Sequence, residues 1–445
     1  MKKTALILLC ATTMAAAQTA PPPPQLLRLS LKRAVEIATS PEGSVRVFFA
    51  LEALRQAKSR SAQSFSAFLP DIESSVSQRN NNVNLAANGI TSIQLPFGFT
   101  FPHIVGPFNV FDARATATMS LFAFSDIRRY QASKATVRAV EADRSATNDD
   151  VSVQVARAYL AAQRADAALA AADADVALAE TLLKEAQDEK NAGTGTGIEV
   201  TRARVQLLNQ TQLQLVARND RHRSHLQLLR VMNVPLNVPL ELEGPLAFQA
   251  EAKTEFEDAR KTALEHRFDY KAQLHREETA RLTSSSVTFE RLPTVAGFAD
   301  YGSIGSSINN AFPTRTYGLE VKVPIFDGGR RDERRVETQS QLRQTAATTK
   351  DLRQQIELDI RLAMDSLDSS AQQVKVAEEA LGLAESELAQ ARRRFAAGIS
   401  NGIEVTDAQT RLTRARDNQI LALYSYNLAR VDLAQATGTI RQFVQ

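Results

Sequence analysis

One cysteine, no tryptophan and five histidines in 445 residues leave little material for redox, thiol or metal chemistry. The cysteine, Cys10, sits in an apolar run near the N-terminus, so a chain cleaved beyond it would hold neither disulfide nor thiol nucleophile. His222 and His225 have a spacing that a metal could use, but Arg221, Arg223 and Arg230 crowd them, while His103, His266 and His275 are scattered. An excess of one charge is also lacking. The 53 basic and 50 acidic residues leave a formal charge of +3, which gives no electrostatic footprint for nucleic acid. Beyond the N-terminus no apolar run approaches the roughly 18 residues of a membrane helix. The GTGTG at 193–197 lacks the Lys-Ser/Thr of a phosphate loop and follows a helical pattern, so it reads as a turn. Nucleophile, base and orienting group nowhere come together in sequence. Neither an enzyme nor a cofactor is expected.

What is present begins with an export signal. Lys2 and Lys3 precede an apolar run from Ala5 to Ala17 that ends in three small residues, and residues 1–17 are expected to be a secretory signal peptide. Leu9 stands before Cys10 where a lipoprotein signal usually has a small residue, which disfavours lipidation. Pro21 to Pro24 form a stiff extended spacer. An exported chain without a membrane helix can be periplasmic, secreted or an outer-membrane barrel.

The chain also repeats itself. AGTGTGIEVTRARVQL (192–207) returns as AGISNGIEVTDAQTRL (397–412), SLFAFSDIRR (120–129) as KVPIFDGGRR (322–331), and FLPDIESSV (68–76) as RLPTVAGFA (291–299). The order of segments is the same in residues 18–250 and 251–445, so one large unit is duplicated in tandem. Its length far exceeds a solenoid repeat. Each half opens with an Ala-rich amphipathic segment, about 28–68 and about 255–291. Strand-like stretches follow at about 70–79 and 110–124, and again at about 294–303 and 316–326. Helical hairpins are expected over about 126–232, with its tip at 191–198, and about 328–437, with its tip at 396–403.

The helical runs carry heptad seams. Val151, Val155, Ala158, Ala162, Ala165, Leu169, Ala172, Val176, Ala179, Leu183 and Ala186 alternate steps of four and three, and the series from Ile356 to Phe395 does the same, broken only by Ser370. So much alanine lets helices approach closely and leaves room for neighbours on two sides. Taken alone, the seams suit an ordinary antiparallel coiled coil.

The strand-like stretches point elsewhere. Phe111, Ala113, Ala115, Ala117, Met119 and Leu121 alternate with Asp112, Arg114, Thr116, Thr118 and Ser120; Tyr317, Leu319, Val321, Val323 and Ile325 alternate in the same way with polar neighbours. A period of two over about ten residues suits a tilted membrane-spanning strand. The intervening segments 80–109 and 303–315 are rich in Asn, Gly, Ser and Pro and read as surface turns. Aromatics gathered there, among them Phe97, Phe99, Phe101, Phe312 and Tyr317, suit a membrane interface or ordinary packing alike. Four strands cannot close a barrel, and an open edge cannot face lipid. If these strands span a membrane, several copies share one barrel and the helices prolong it as a tube.

This order of elements resembles the TolC-like outer membrane efflux proteins over nearly the whole chain. VPIFDGGRR (323–331), FAAGISNGIEVTDAQTRLTRAR (395–416), LARVDLAQATG (428–438) and the LP pairs at 69–70 and 292–293 carry the resemblance; FAFSDIRR in the first half lacks the paired glycines. It implies a mainly α fold with a membrane β-barrel part. Three chains would share a 12-stranded barrel in the outer membrane of a Gram-negative bacterium, continued by a helical coiled-coil barrel in the periplasm. Equatorial segments would lie at about 233–255 and 438–445. The implied partners are two further copies, outer-membrane lipid, a periplasmic adaptor and an inner-membrane transporter that supplies the energy. Drugs, metals or secreted proteins would be the cargo.

The repeated phrase would then be the tip of each hairpin, with Gly193, Gly195 and Gly197, and Gly398, Ser400 and Gly402, offered to the adaptor. Thr196 with Glu199, and Asn401 with Glu404, have the spacing of a helix cap and its reciprocal acid. By resemblance, Glu199, Glu404 and Asp407 ring the narrow entrance, closing it and favouring cations. Read from the residues alone, acids in a first helical turn simply suit the positive end of the helix. Arg202 replaces an acid in the first half, so the tips are inequivalent, and Phe395 and Ser400 replace the tyrosine and arginine that tether some relatives' closed tips. A non-conducting trimeric stalk or envelope spacer remains the alternative; it would share the heptads without needing the duplicated strand pair.

Overall fold

The computed structural model describes residues 26–90, 102–250 and 254–444. The expected signal peptide, Cys10, Pro21 to Pro24 and Phe97, Phe99 and Phe101 lie outside the described residues. In chain order the elements are β1 (Leu27–Leu29), α1 (Leu31–Thr39), α2 (Val45–Ser66), β2 (Asp71–Asn84), β3 (Ile104–Phe122), α3 (Phe124–Asn191), α4 (Gly197–Val231) and β4 (Leu240–Leu242). Then come α5 (Phe256–His266), α6 (Phe268–Phe289), β5 (Thr294–Gly305), β6 (Ala311–Lys322), α7 (Arg330–Ala396), α8 (Gly402–Thr437) and α9 (Ile440–Val444). Each half therefore supplies a strand pair followed by one very long helix and one of half its length: 68 and 35 residues in the first, 67 and 36 in the second. At 1.5 Å per residue, α3 and α7 each reach roughly 100 Å.

The four long strands form one antiparallel sheet in the order β2-β3-β5-β6, which leaves β2 and β6 as open edges. Two stretches expected as turns are strand instead. Asn80–Asn84 and Ile104–Asn109 extend the β2–β3 ladder, where Asn80 Nδ2 donates to Asn109 Oδ1 at 2.9 Å. Ladder bonds along two paired backbones outweigh the turn preference of single asparagines. The second expected turn shrinks likewise, because β6 starts at Ala311 opposite Gly305. β6 in turn ends at Lys322, short of the expected 326. Gly328 and Gly329, both at positive φ, then turn the chain into α7.

The seams face inward, with Ala158, Leu169, Ala172, Val176 and Leu183 of α3 and Leu367, Leu381 and Phe395 of α7 half-buried. Val151, Val155, Ala162, Ala165, Ala179 and Ala186 of α3 are buried, as are Ile356, Ile360, Ala363, Ser370, Val374, Ala377, Ala384, Leu388 and Ala391 of α7. Helix α3 packs against α4 and α8 on different faces. Val151, Val155, Tyr159 and Ala162 meet Leu228 and Leu229 of α4, whereas Val153, Ala156 and Leu160 meet Val431 and Ala434 of α8. Within the second hairpin, Ala384, Leu388 and Ala391 close on Val405, Ala408 and Leu412. The seam faces α4, and the positions beside it, Val153, Ala156 and Leu160, face α8.

Beside the middle of α3 the remaining segments gather. β1 pairs in parallel with β4, and the Tyr159 hydroxyl lies 3.0 Å from the Leu29 carbonyl oxygen and 2.7 Å from that of Glu243, clamping both strands to the helix. Burial pushes the Tyr159 phenol up to about 12. Val234 and Leu242, and Leu246, Phe443 and Val444, pack against the same stretch of α3.

Candidate channel aperture and hairpin tips

The first tip is the five-residue connection Ala192–Thr196. Gly193 holds φ +77°, and a Cβ on Gly195 would lie 3.0 Å from both Glu189 Cβ and the Lys190 nitrogen, so the turn needs glycine at these two positions. Gly197, by contrast, faces open space at an ordinary φ. Thr196 N–H donates to Glu199 Oε2 at 2.9 Å, so the capping arrangement forms here. Burial, then the neighbouring carboxylates of Glu199 and Glu185, push the Glu189 carboxyl upward.

The second tip, Ala397–Asn401, has Gly398 at φ +69°. Asn401 Oδ1 accepts from the backbone N–H of Ile403 at 3.1 Å and of Glu404 at 3.4 Å, which caps α8. The reciprocal half of the expected box is replaced. Glu404 pairs instead with Arg394 of α7 at 3.2 Å, because the basic run Arg392 to Arg394 ends α7 beside it. Asp407 pairs with Arg411 at 2.7 Å, and Arg411 also reaches Glu387 at 2.8 Å. Each acid of the second tip thus has an arginine within 4 Å, and both remain substantially exposed. Ser400 Oγ is shielded and has no hydrogen-bond partner among the described residues.

The two tips touch. A Cβ on Gly402 would be 3.6 Å from Glu199 Cγ, and Arg202 and Asp407 line one groove of about 490 Å³ together with Ile198, Val205 and Ile403. Ile198 and Ile403 are exposed at equivalent positions of the two copies, 59% and 51%.

Sequence reasoning missed the braces between hairpins. Asp175 of α3, 3% exposed, receives Arg416 Nη1 at 2.5 Å and Thr413 Oγ1 at 2.8 Å, both from α8. Closer to the tip, Arg392 of α7 meets Glu185 of α3 at 2.5 Å, and near mid-height Arg157 meets Asp432 at 2.8 Å. Asp175 sits between the seam positions Ala172 and Val176, where nothing in the sequence separates it from the exposed Asp173. His225 is a brace within the first hairpin instead: its Nε2 lies 2.9 Å from Asp166 Oδ1 of α3, which also takes Arg221 Nε at 2.6 Å. Burial alone would raise the Asp166 carboxyl, but the bonds from His225 and Arg221 outweigh it and hold it low. Among the described residues no cluster of His, Cys, Asp or Glu suits a metal ion, and no helix is long and apolar enough to cross a membrane.

Comparison with known proteins agrees with this geometry. The chain is 23% identical over 316 residues to the outer membrane protein TolC of Vibrio cholerae, spanning 68% of this chain and 71% of that one. It is 23% identical over 327 residues to the alkaline protease secretion protein AprF of Pseudomonas aeruginosa, spanning 70% of this chain and 63% of the relative. Among solved structures, the outer membrane protein VceC of Vibrio cholerae superposes with a TM-score of 0.76 at 17% identity, over 92% of this chain and 96% of that one. The family model described as outer membrane efflux protein matches twice, over residues 50–234 and 259–439, once in each half of the duplication. With strand pairs, long hairpins and both halves accounted for, the chain belongs to the outer membrane efflux protein family.

Proposed function

We propose that three copies of this chain form a passive exit duct through the outer membrane of a Gram-negative bacterium. The duct receives cargo from a periplasmic adaptor and an inner-membrane pump. The observation that carries this reading is the four-stranded sheet with two open edges, β2 and β6, continuous with helices roughly 100 Å long. Unpaired edges in lipid cost several kcal/mol per backbone group, so further copies must pair them. Twelve strands close a barrel; four do not. The sheet's apolar face, with Ile72, Val76, Tyr301, Tyr317, Leu319 and Val321 all exposed, suits lipid and would be a liability in water. A non-conducting stalk would have no use for that face.

The two hairpin tips are the docking end, and Glu199, Glu404 and Asp407 form its aperture. Threefold repetition brings these carboxylates together at a narrow entrance, where they attract cations and hold divalent ions. The arginine partners of Glu404 and Asp407 temper this charge. Replacing Glu404 and Asp407 with alanine is expected to raise single-channel conductance in planar bilayers and to weaken block by divalent cations; unchanged conductance and block would remove the aperture assignment. Wild-type protein that forms no channel at all would remove the duct.

A further inference from the structure

The sheet separates its charges by face. In an antiparallel ladder, directly paired residues share a face and successive residues alternate. Following the register from Asp112 outward, one face carries Asp71, Glu73, Arg79, Asp112, Arg114, Asp300, Glu320 and Lys322. Of the charged residues in these strands, only Arg315 lies on the other face, paired with Tyr301 near the β5–β6 turn. Eight against one decides the orientation: a charge facing lipid is costly, so the charged face lines the lumen.

The lumen charge is unbalanced, because five acids and three bases leave a net charge of −2 per chain and −6 per trimer. The bases are also unevenly placed. Arg114 grips Asp112 through Nε at 2.8 Å and Nη2 at 2.7 Å, and Arg79 leans on the same carboxylate at 3.8 Å. One row away, Glu73 and Asp300 flank Thr116 as its two cross-strand partners. Asp300 touches only the far side of Arg114, at 3.8 Å, and Glu73 has no ion pair among the described residues. At the tip, by contrast, Glu404 and Asp407 each have an arginine at 3.2 and 2.7 Å.

Resting on the duct reading, we propose that the barrel is a second charge filter in series with the tip. Glu73 and Asp300 are the residues that give the channel its preference for monovalent cations. Low-dielectric walls focus the field of fixed charges into the lumen, raising the local concentration of counter-ions and depleting co-ions. Screening sets the range of this effect, about 10 Å at 0.1 M salt and about 3 Å at 1 M.

The test is the reversal potential of the full-length protein in planar bilayers under a KCl gradient. Wild type is expected to show a cation-to-anion permeability ratio above one near 0.1 M salt, falling toward one near 1 M. Glu73→Gln with Asp300→Asn brings the face from −2 to 0 per chain and is expected to lower that ratio at least about twofold. Glu73→Lys makes the same change from an exposed position without touching the Arg114 network, so it decides the matter should the double variant fail to assemble. The tip variant Glu404→Gln with Asp407→Asn is expected to weaken divalent block, whereas the barrel variants leave that block at its wild-type level. A ratio unchanged in both barrel variants, or lost in the tip variant alone, overturns the proposal while leaving the duct intact. A wild-type protein that does not conduct sinks the duct and the filter together.

Discussion

Cutting the brace between Asp175 and Arg416 should loosen one hairpin from the other, and the two ends of the brace should not be equal. Asp175 has 4% of its side chain exposed and Arg416 26%, so each removal leaves a different orphan. Breaking a buried pair by deleting one partner costs about 3–5 kcal/mol. Asp175→Asn keeps an acceptor for Thr413 and leaves an arginine that can swing toward water, which puts it at about 3 kcal/mol. Arg416→Gln strands a buried carboxylate with only Thr413, beside Asp417, whose carboxyl is pushed up first by its own burial and then by Asp175. That places it nearer 5 kcal/mol, on the order of the upper end for a buried pair. Since about 1.4 kcal/mol is tenfold in an opening equilibrium, amide exchange in the neighbouring turns of α3 and α8 should quicken roughly 100-fold and over 1,000-fold respectively. Hydrogen exchange followed by mass spectrometry of the assembled protein reads both, and the double variant should cost less than the sum. Exchange unchanged within about tenfold, or Asp175→Asn costing more than Arg416→Gln, would refute the reasoning.

Gly193→Ala and Gly398→Ala should each cost about 1–2 kcal/mol, because both positions hold positive φ, whereas Gly197→Ala should be neutral or stabilising; thermal denaturation in detergent separates them. Tyr159→Phe leaves the Leu29 and Glu243 carbonyls without their shared donor and should cost about 1–3 kcal/mol, seen as faster proteolysis near β1. The same phenol sets an alkaline limit. Its folded pKa of about 12 lies above the ordinary 10, so the folded state holds the proton longer. Its contribution is therefore whole below pH 10 and is lost as pH rises toward 12, about 2–3 kcal/mol in all. Tyr159→Phe should flatten stability over that window, and an unchanged slope would place the alkaline sensitivity elsewhere.

Much of this architecture is legible in the residues because it is periodic. The α3 and α7 seams are long, nearly free of polar interruption and closed by glycine at both tips, so their extent follows from the pattern. Strand ends were harder to read. Asn80 to Asn84 look like a turn by composition, yet a ladder partner across β3 holds them extended, and pairing is a property of two segments. At the tips, the Thr196–Glu199 box is local and readable from a spacing of three. Glu404 has the same spacing but is drawn to Arg394 across the turn. Asp175 was invisible for the same reason, since its partners lie some 240 residues away in α8.

The most direct test of the account is the mass of the purified protein in detergent, measured by light scattering corrected for the bound micelle. Three chains per particle, stable on dilution and insoluble once detergent is withdrawn, are predicted. A lone chain that stays in solution without detergent would contradict the shared barrel and everything built on it.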